Sequence, residues 1–372
     1  MNNVTFVTAF FKLREKENNK YTEGFCTVEK YLESSKILLE KDINLVIFIE
    51  PDLKEHVIKY REKLMHKTLI ITKNFEDLRL WNRLNDFIEG DRRYHISNLD
   101  IKKFTPLYHL IINSKVDFVE EAITLDPFKS DRFAWIDFRA FDLSPVNDEF
   151  FYKIPEFYQD SKIHINMMSF CTENEVRDRN EYYRIMRGKI AGTFWIGGKK
   201  ELLQFIKKCQ QELEWCLKNK WSVTEEMIFG CIYAENKELF NIYCGDYCDS
   251  LSNFDVSRRN LWLAASSFKY AIINNSFNDI IHLGRYLIDS HKHPQGAKLD
   301  TYHQYEVYYN MILTYNKFTN NKTEIFNLIK EWINLSNSNV ELKEKIRTRK
   351  EFLLGMIHSE QNNEINQMLE RV

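Results

Sequence analysis

Asp137 ends the apolar run Phe133-Ala134-Trp135-Ile136, so its carboxylate should emerge at or just past the C-terminal end of a strand. Ligands of open α/β sheets bind at that end. A carboxylate there is costly to bury unless it is paired or bound to a cation, and a capping role or a pairing with Arg139 would serve it equally well. Glu225 and Glu226, behind Ser222 and Thr224, are two adjacent carboxylates at a helix start. Capping and the helix dipole account for one of them. Helical neighbours diverge by about 100°, so only one faces any cleft. The third feature is Gly188–Gly198, GKIAGTFWIGG, where small residues admit a ligand and aromatic residues could wall it. Gly197-Gly198 also reads as the turn before the next helix.

Other chemistries lack their residues. The sequence has no G-x-x-x-x-G-K-[ST], no G-x-G-x-x-G after the first strand, no H-E-x-x-H and no G-x-S-x-G. His291 and His293 have no carboxylate or cysteine cluster beside them and read as a surface loop. The 7 cysteines are odd in number and widely spaced, and Cys244 and Cys248 lack the second pair of a zinc site. Free thiols in a reducing, cytoplasmic compartment are the expectation. Lys+Arg 52 against Asp+Glu 54 leaves a net charge of -2, which argues against a broad nucleic-acid footprint. No apolar run is long enough for a membrane span, and the N-terminal MNNVTFVTAFF reads as a strand rather than a signal peptide.

These residues must be positioned by regular elements, and 372 residues is enough for two domains. Strands are expected at 3–10, 44–50, 67–73, 133–141 and 162–170, with helices at 25–39, 51–65, 104–124 and 199–220 and another from 222. That alternation predicts an α/β domain, a mixed, mostly parallel sheet flanked by helices, over 1–255. Residues 256–372 read as four or five helices, an all-helical subdomain with weak helical-hairpin character.

The segments FVTAFF at 6–11, YHLIINSK at 108–115, FAWIDF at 133–138, IAGTFWIGG at 190–198 and TEEMIF at 224–229 resemble the HtrL/YibB family, a bacterial and viral group related to glycosyltransferases of the GT-A fold. The resemblance covers roughly residues 4–250. It implies a GT-A-like domain that moves a sugar from a nucleotide-diphosphate sugar, a UDP-sugar first, to a hydroxyl of a carbohydrate or glycoconjugate acceptor. It further implies that Val7, Thr8 and Ala9 hold the base, Lys115 faces the nucleotide sugar, and Asp137 binds Mn2+ or Mg2+ and the diphosphate. Gly192, Gly197 and Gly198 would line the sugar pocket, and Glu226 rather than Glu225 would face the reacting sugar. The chain departs from the family's fuller acidic motif: Phe138 and Arg139 stand where a second carboxylate is expected, so either Asp137 alone holds the metal with help from elsewhere or Arg139 partly replaces the cation by neutralising phosphate. Two alternatives stay open, an inactive GT-A-like protein that binds a nucleotide or glycan, and an interaction scaffold built on the tyrosine-rich C-terminal helices.

Overall fold

Seven runs rich in β-branched and aromatic residues pair into one mixed sheet in the order β3-β2-β1-β4-β6-β5-β7. They are β1 (Val4–Phe10), β2 (Asn44–Ile49), β3 (Thr68–Thr72), β4 (Arg132–Ile136), β5 (Ile163–Met167), β6 (Ile190–Gly198) and β7 (Phe240–Cys244). The computed structural model describes residues 4–17, 27–90, 104–143, 151, 153–154, 160–184, 188–252, 261–294, 296–336 and 339–371. Six strands run the same way, and β6 runs against its neighbours β4 and β5. The centre is sealed: β4, β5 and β6 are buried along their whole length, as expected where both faces of a sheet are covered. At the edge, β3 is half-exposed.

Among the described residues of this unit, the α-helices longer than a single turn are α1 (Val28–Leu39), α2 (Lys54–Arg61), α3 (Leu84–Gly90), α4 (Pro106–Asn113), α5 (Lys115–Leu125), α6 (Glu173–Arg177), α7 (Arg179–Arg184), α8 (Lys199–Lys218) and α9 (Glu225–Glu235). Several differ from the pattern expected. The run 104–124 is two helices, because the chain bends at Ser114, whose hydroxyl donates to the Leu110 carbonyl at 2.9 Å and competes with the helix ladder. That break makes Lys115 the first residue of α5. The run 51–65 keeps only α2 as α-helix, flanked by 3-10 turns. There Arg61 is fully buried and its guanidinium donates to the carbonyls of Leu39, Lys41, Ile43 and Lys67, tying a loop and two elements together. β4 stops at Ile136 instead of running to 141, and Ala140–Leu143 is a helical turn. The glycine segment, for which only a turn at Gly197-Gly198 is expected, forms the nine-residue strand β6, and that pair ends it. The strand β7 went unrecognised in the sequence, since FNIYC is short and follows a helix with only a brief 3-10 turn between.

The chain divides into two compact units, Met1–Asp255 and Val256–Val372. The second is helical throughout its described residues: α10 (Leu261–Ile273), α11 (Phe277–Lys292), α12 (Thr301–Phe318), α13 (Lys322–Ser336), α14 (Val340–Arg347), a short turn at Lys350–Leu354 and α15 (Asn362–Arg371). Helices α10 through α13 pack each on the next. The run from 261 to 292, which looks continuous in sequence, breaks where Asn275 takes a left-handed φ of 52°. The core holds Leu283, Leu287, Met311, Ile325, Ile329 and Trp332, with Trp332 stacked on Tyr308 at 5.9 Å. Among the described residues no helix is long and apolar enough to cross a membrane.

Candidate functional site

Where β4 ends, Asp137 turns out of the sheet with its backbone N–H still donating to Thr193 of β6 at 2.9 Å. Its side-chain Oδ1 accepts from the Trp135 indole N–H at 2.7 Å and lies 2.8 Å from Lys115 Nζ. The same ammonium lies 2.7 Å from Glu225 Oε1 and donates to the Gly192 carbonyl at 3.1 Å. Three acceptors therefore meet one cation with three donors. Lys115 and Glu225 are buried, 8% and 5% exposed, whereas a quarter of the Asp137 side chain stays accessible.

Three elements converge to make this contact. The bend at Ser114 aims the start of α5 at the sheet. Antiparallel β6 brings its Gly192 end to the C-terminal ends of the parallel strands, with Phe194 opposite Ile136. The segment leading into α9 is pinned from α4: His109 Nδ1 bonds Ser222 Oγ at 2.7 Å, and Asn113 Nδ2 donates to the Val223 carbonyl at 2.8 Å. Gly192 is required by close approach. A Cβ there would fall 2.9 Å from Glu225 Cδ and nearer still to its carboxylate oxygen.

Burial by itself would lower the Lys115 pKa, but the Asp137 and Glu225 carboxylates outweigh it and hold the ammonium above its ordinary value. Burial raises Glu225, Lys115 pulls it back, and nearby Asp137 adds to the rise, leaving it above the usual carboxylate range. Two phenols share this field. Burial raises Tyr108, helped by Glu225, and raises Tyr247, helped by Asp137 and Glu226. With Asp137, Glu225 and Glu226 against Lys115, the group carries a formal charge of about -2 when all are ionised.

Glu225 is thus not the surface cap expected from its position. Thr224 occupies the N-cap site of α9, yet its side chain makes no capping bond, and Glu225 points into the buried cluster. Glu226, half-buried, turns elsewhere and faces the backbone at Gly188, where a Cβ would stand 3.5 Å from its Oε2. The structure brings together Lys115, Asp137, Gly192 and Glu225, with Glu226 alongside. It does not bring Gly197 and Gly198 there: they pair with Phe133 and Arg132 at the opposite end of β4, and Gly198 is the N-cap residue of α8. Arg139 is engaged by Asp142, its Nε donating at 2.6 Å, and lies 4.2 Å over the Tyr31 ring. Val7 and Thr8 are wholly buried within β1, and only Ala9 keeps some exposed surface. The Thr8 hydroxyl has no hydrogen-bond partner among the described residues.

Tyr108 and Tyr247 escaped the sequence reading. Tyr108 lies inside the segment YHLIINSK, but a tyrosine on an apolar helix reads as core. Tyr247 follows β7, which was itself unrecognised. Among the described residues no group of three or more His, Cys, Asp or Glu side chains is arranged to hold a metal ion. Among the described residues, then, Asp137 belongs to no protein-only cage. A single carboxylate fits a magnesium-like ion only when substrate phosphates and waters complete its shell.

The sheet is mixed and mostly parallel, as in an α/β domain, and its buried lysine–carboxylate group lies at the carboxyl ends of the strands, where open α/β sheets bind their ligands. Comparison with known proteins places it further. Residues 2–256 match the family described as "Bacterial protein of unknown function (HtrL_YibB)", and the chain belongs to that family. Protein HtrL of Escherichia coli (strain K12) is 25% identical over 253 residues, covering 64% of this chain and 86% of that protein. A crystal structure of mouse xyloside xylosyltransferase 1, in its apo form, covers 64% of this chain and 84% of that one at 13% identity and a TM-score of 0.34, a likeness too low to carry an argument.

Proposed function

We propose that residues 1–255 form a GT-A-like glycosyltransferase domain that moves a sugar from a nucleotide-diphosphate sugar, with a UDP-sugar as the first candidate, to a hydroxyl of a carbohydrate or glycoconjugate acceptor. The observation that carries the reading is the Lys115–Asp137–Glu225 group at the C-terminal end of β4. Sugar transfer breaks the bond from the anomeric carbon to the diphosphate oxygen, which leaves with the electron pair, and forms a bond to the acceptor oxygen, whose proton must be taken up. Glu226 is the carboxylate assigned to the reacting sugar, accepting that proton in a single displacement or steadying a cationic sugar where configuration is retained. Glu225 is a positioning residue: it fixes the ammonium of Lys115, which fixes Asp137. A group with excess negative charge repels a diphosphate, and this favours a divalent cation, Mn2+ or Mg2+, bound at Asp137 together with the substrate. Such an ion would stabilise charge on the leaving group. The Gly192 end of β6 lines the site, and Ala9 is the part of β1 available to a base.

The saturated ammonium favours one second reading, a domain that binds a nucleotide or glycan without transfer. A screen of nucleotide sugars for slow hydrolysis with Mn2+ separates the two. Glu226→Gln should lower turnover about 10²-fold with donor affinity near wild type. Binding of UDP with Mn2+ but no hydrolysis of any donor supports the second reading, and neither binding nor hydrolysis removes both.

A further inference from the structure

Away from the Lys115 group, an open cleft of about 600 Å³ is lined by Asn174, Arg177, Asp178, Arg179, Asn180 and Trp215. Its two guanidiniums invite an anion, but the charge count decides otherwise. Arg179 is committed to Glu212 at 3.3 Å and Glu235 at 2.7 Å, and Asp178 offsets Arg177. Two positive charges thus face three negative ones, the reverse of the arginine cluster that recognises phosphate.

What remains is directional and neutral. Arg177 uses one of its five N–H donors, to Asn174 Oδ1 at 2.8 Å. The Asn180 carbonyl oxygen accepts from the Trp221 indole at 3.0 Å, which orients the amide, and its NH2 donates to none of the described residues. Asp178 Oδ1 accepts from the Glu181 N–H at 3.2 Å, and its other oxygen accepts from none of the described residues. Trp215 is half-buried, braced by Tyr183 at 6.1 Å, and its indole N–H donates to none of the described residues. A half-exposed indole beside fixed amide, guanidinium and carboxylate groups matches a pyranose ring, which has an apolar C–H face and a rim of hydroxyls that both donate and accept.

We propose that this cleft is a carbohydrate-binding site that holds a ring of a neutral glycan against Trp215, with Arg177, Asn174 and Asn180 on its hydroxyls. It is separate from the Lys115 group. Arg179 binds Glu235 in the last turn of α9, and about 15 Å of helix separates that turn from Glu225 in the first. The cleft stands without the transfer reading; where transfer holds, it becomes a grip on the acceptor chain.

Saturation-transfer NMR on the full chain tests this, with chitotriose, maltotriose, cellotriose and inorganic phosphate as probes. At least one trisaccharide should bind saturably, phosphate should not compete, and Trp215→Ala and Arg177→Ala should each weaken binding tenfold or more. Asp137→Asn should leave that binding unchanged whether or not it abolishes any nucleotide affinity, so the two proposals fail separately. Should Trp215→Ala not fold, Arg177→Ala and Asn174→Ala, both on the exposed rim, carry the test. The proposal is overturned if no trisaccharide binds, if the rim variants bind like wild type, if phosphate displaces the sugar, or if Asp137→Asn abolishes binding.

Discussion

At the scale of single residues, Lys115 is a strong constraint, a buried cation held between two carboxylates. Removing one partner of a buried ion pair leaves the other charged and desolvated, at a cost of about 3–5 kcal/mol. Lys115→Met should therefore destabilise the protein by roughly that much, and Lys115→Met with Glu225→Gln should recover part of it, because the double variant strands fewer charges. Urea unfolding of Lys115→Met, Glu225→Gln and the double variant measures this, and a Lys115→Met variant within about 1 kcal/mol of wild type would show that the pair does not matter to stability. Asp137 and Lys115 were legible from sequence: one ends an apolar strand, and the other matches a family segment. The choice between Glu225 and Glu226 was not. It depends on the rotation of α9, which is set by His109 and Asn113, more than a hundred residues upstream. No local pattern carries that information.

Elements show the same dependence. The strands β1, β2 and β3 could be read because their apolar runs are bounded by polar and turn residues. The nature of 190–198 could not, since a glycine-rich segment whose Gly197-Gly198 reads as a turn is here a central strand, and the side chain missing at Gly192 makes room for Glu225. Gly192→Ala should push Glu225 off Lys115, cost stability by about 1–3 kcal/mol and lose whatever activity the group supports. A crystal structure of that variant with Glu225 unmoved would refute the steric account. The brace between α4 and α9 predicts a pH effect. Burial depresses His109 to about 3, so the folded protein keeps it neutral while the unfolded chain protonates it near its ordinary value of 6.5. Its contribution to stability is then complete above about pH 6.5 and is lost as pH falls toward 3, at up to about 1.4 kcal/mol per pH unit. His109→Asn should flatten the melting temperature across that window, and an unchanged slope would exclude His109 as its source.

Across the whole molecule, the two units have separate cores. Residues 256–372 form a compact unit with a core around Trp332, so expressed alone they should give a helical fragment with a cooperative melt, and a non-cooperative one would show that the core needs the first unit. The strand order has a consequence in time. The edge of β1 that faces β2 can close as soon as those residues exist, whereas its other edge waits for β4. At about 5–20 residues per second a ribosome takes on the order of ten seconds to travel from β1 to β4. Once β3 is made and until β4 follows, the nascent chain can carry a three-stranded sheet whose β1 edge leaves its backbone N–H and C=O groups unpaired, and the partner that ends the exposure is the strand that delivers Asp137.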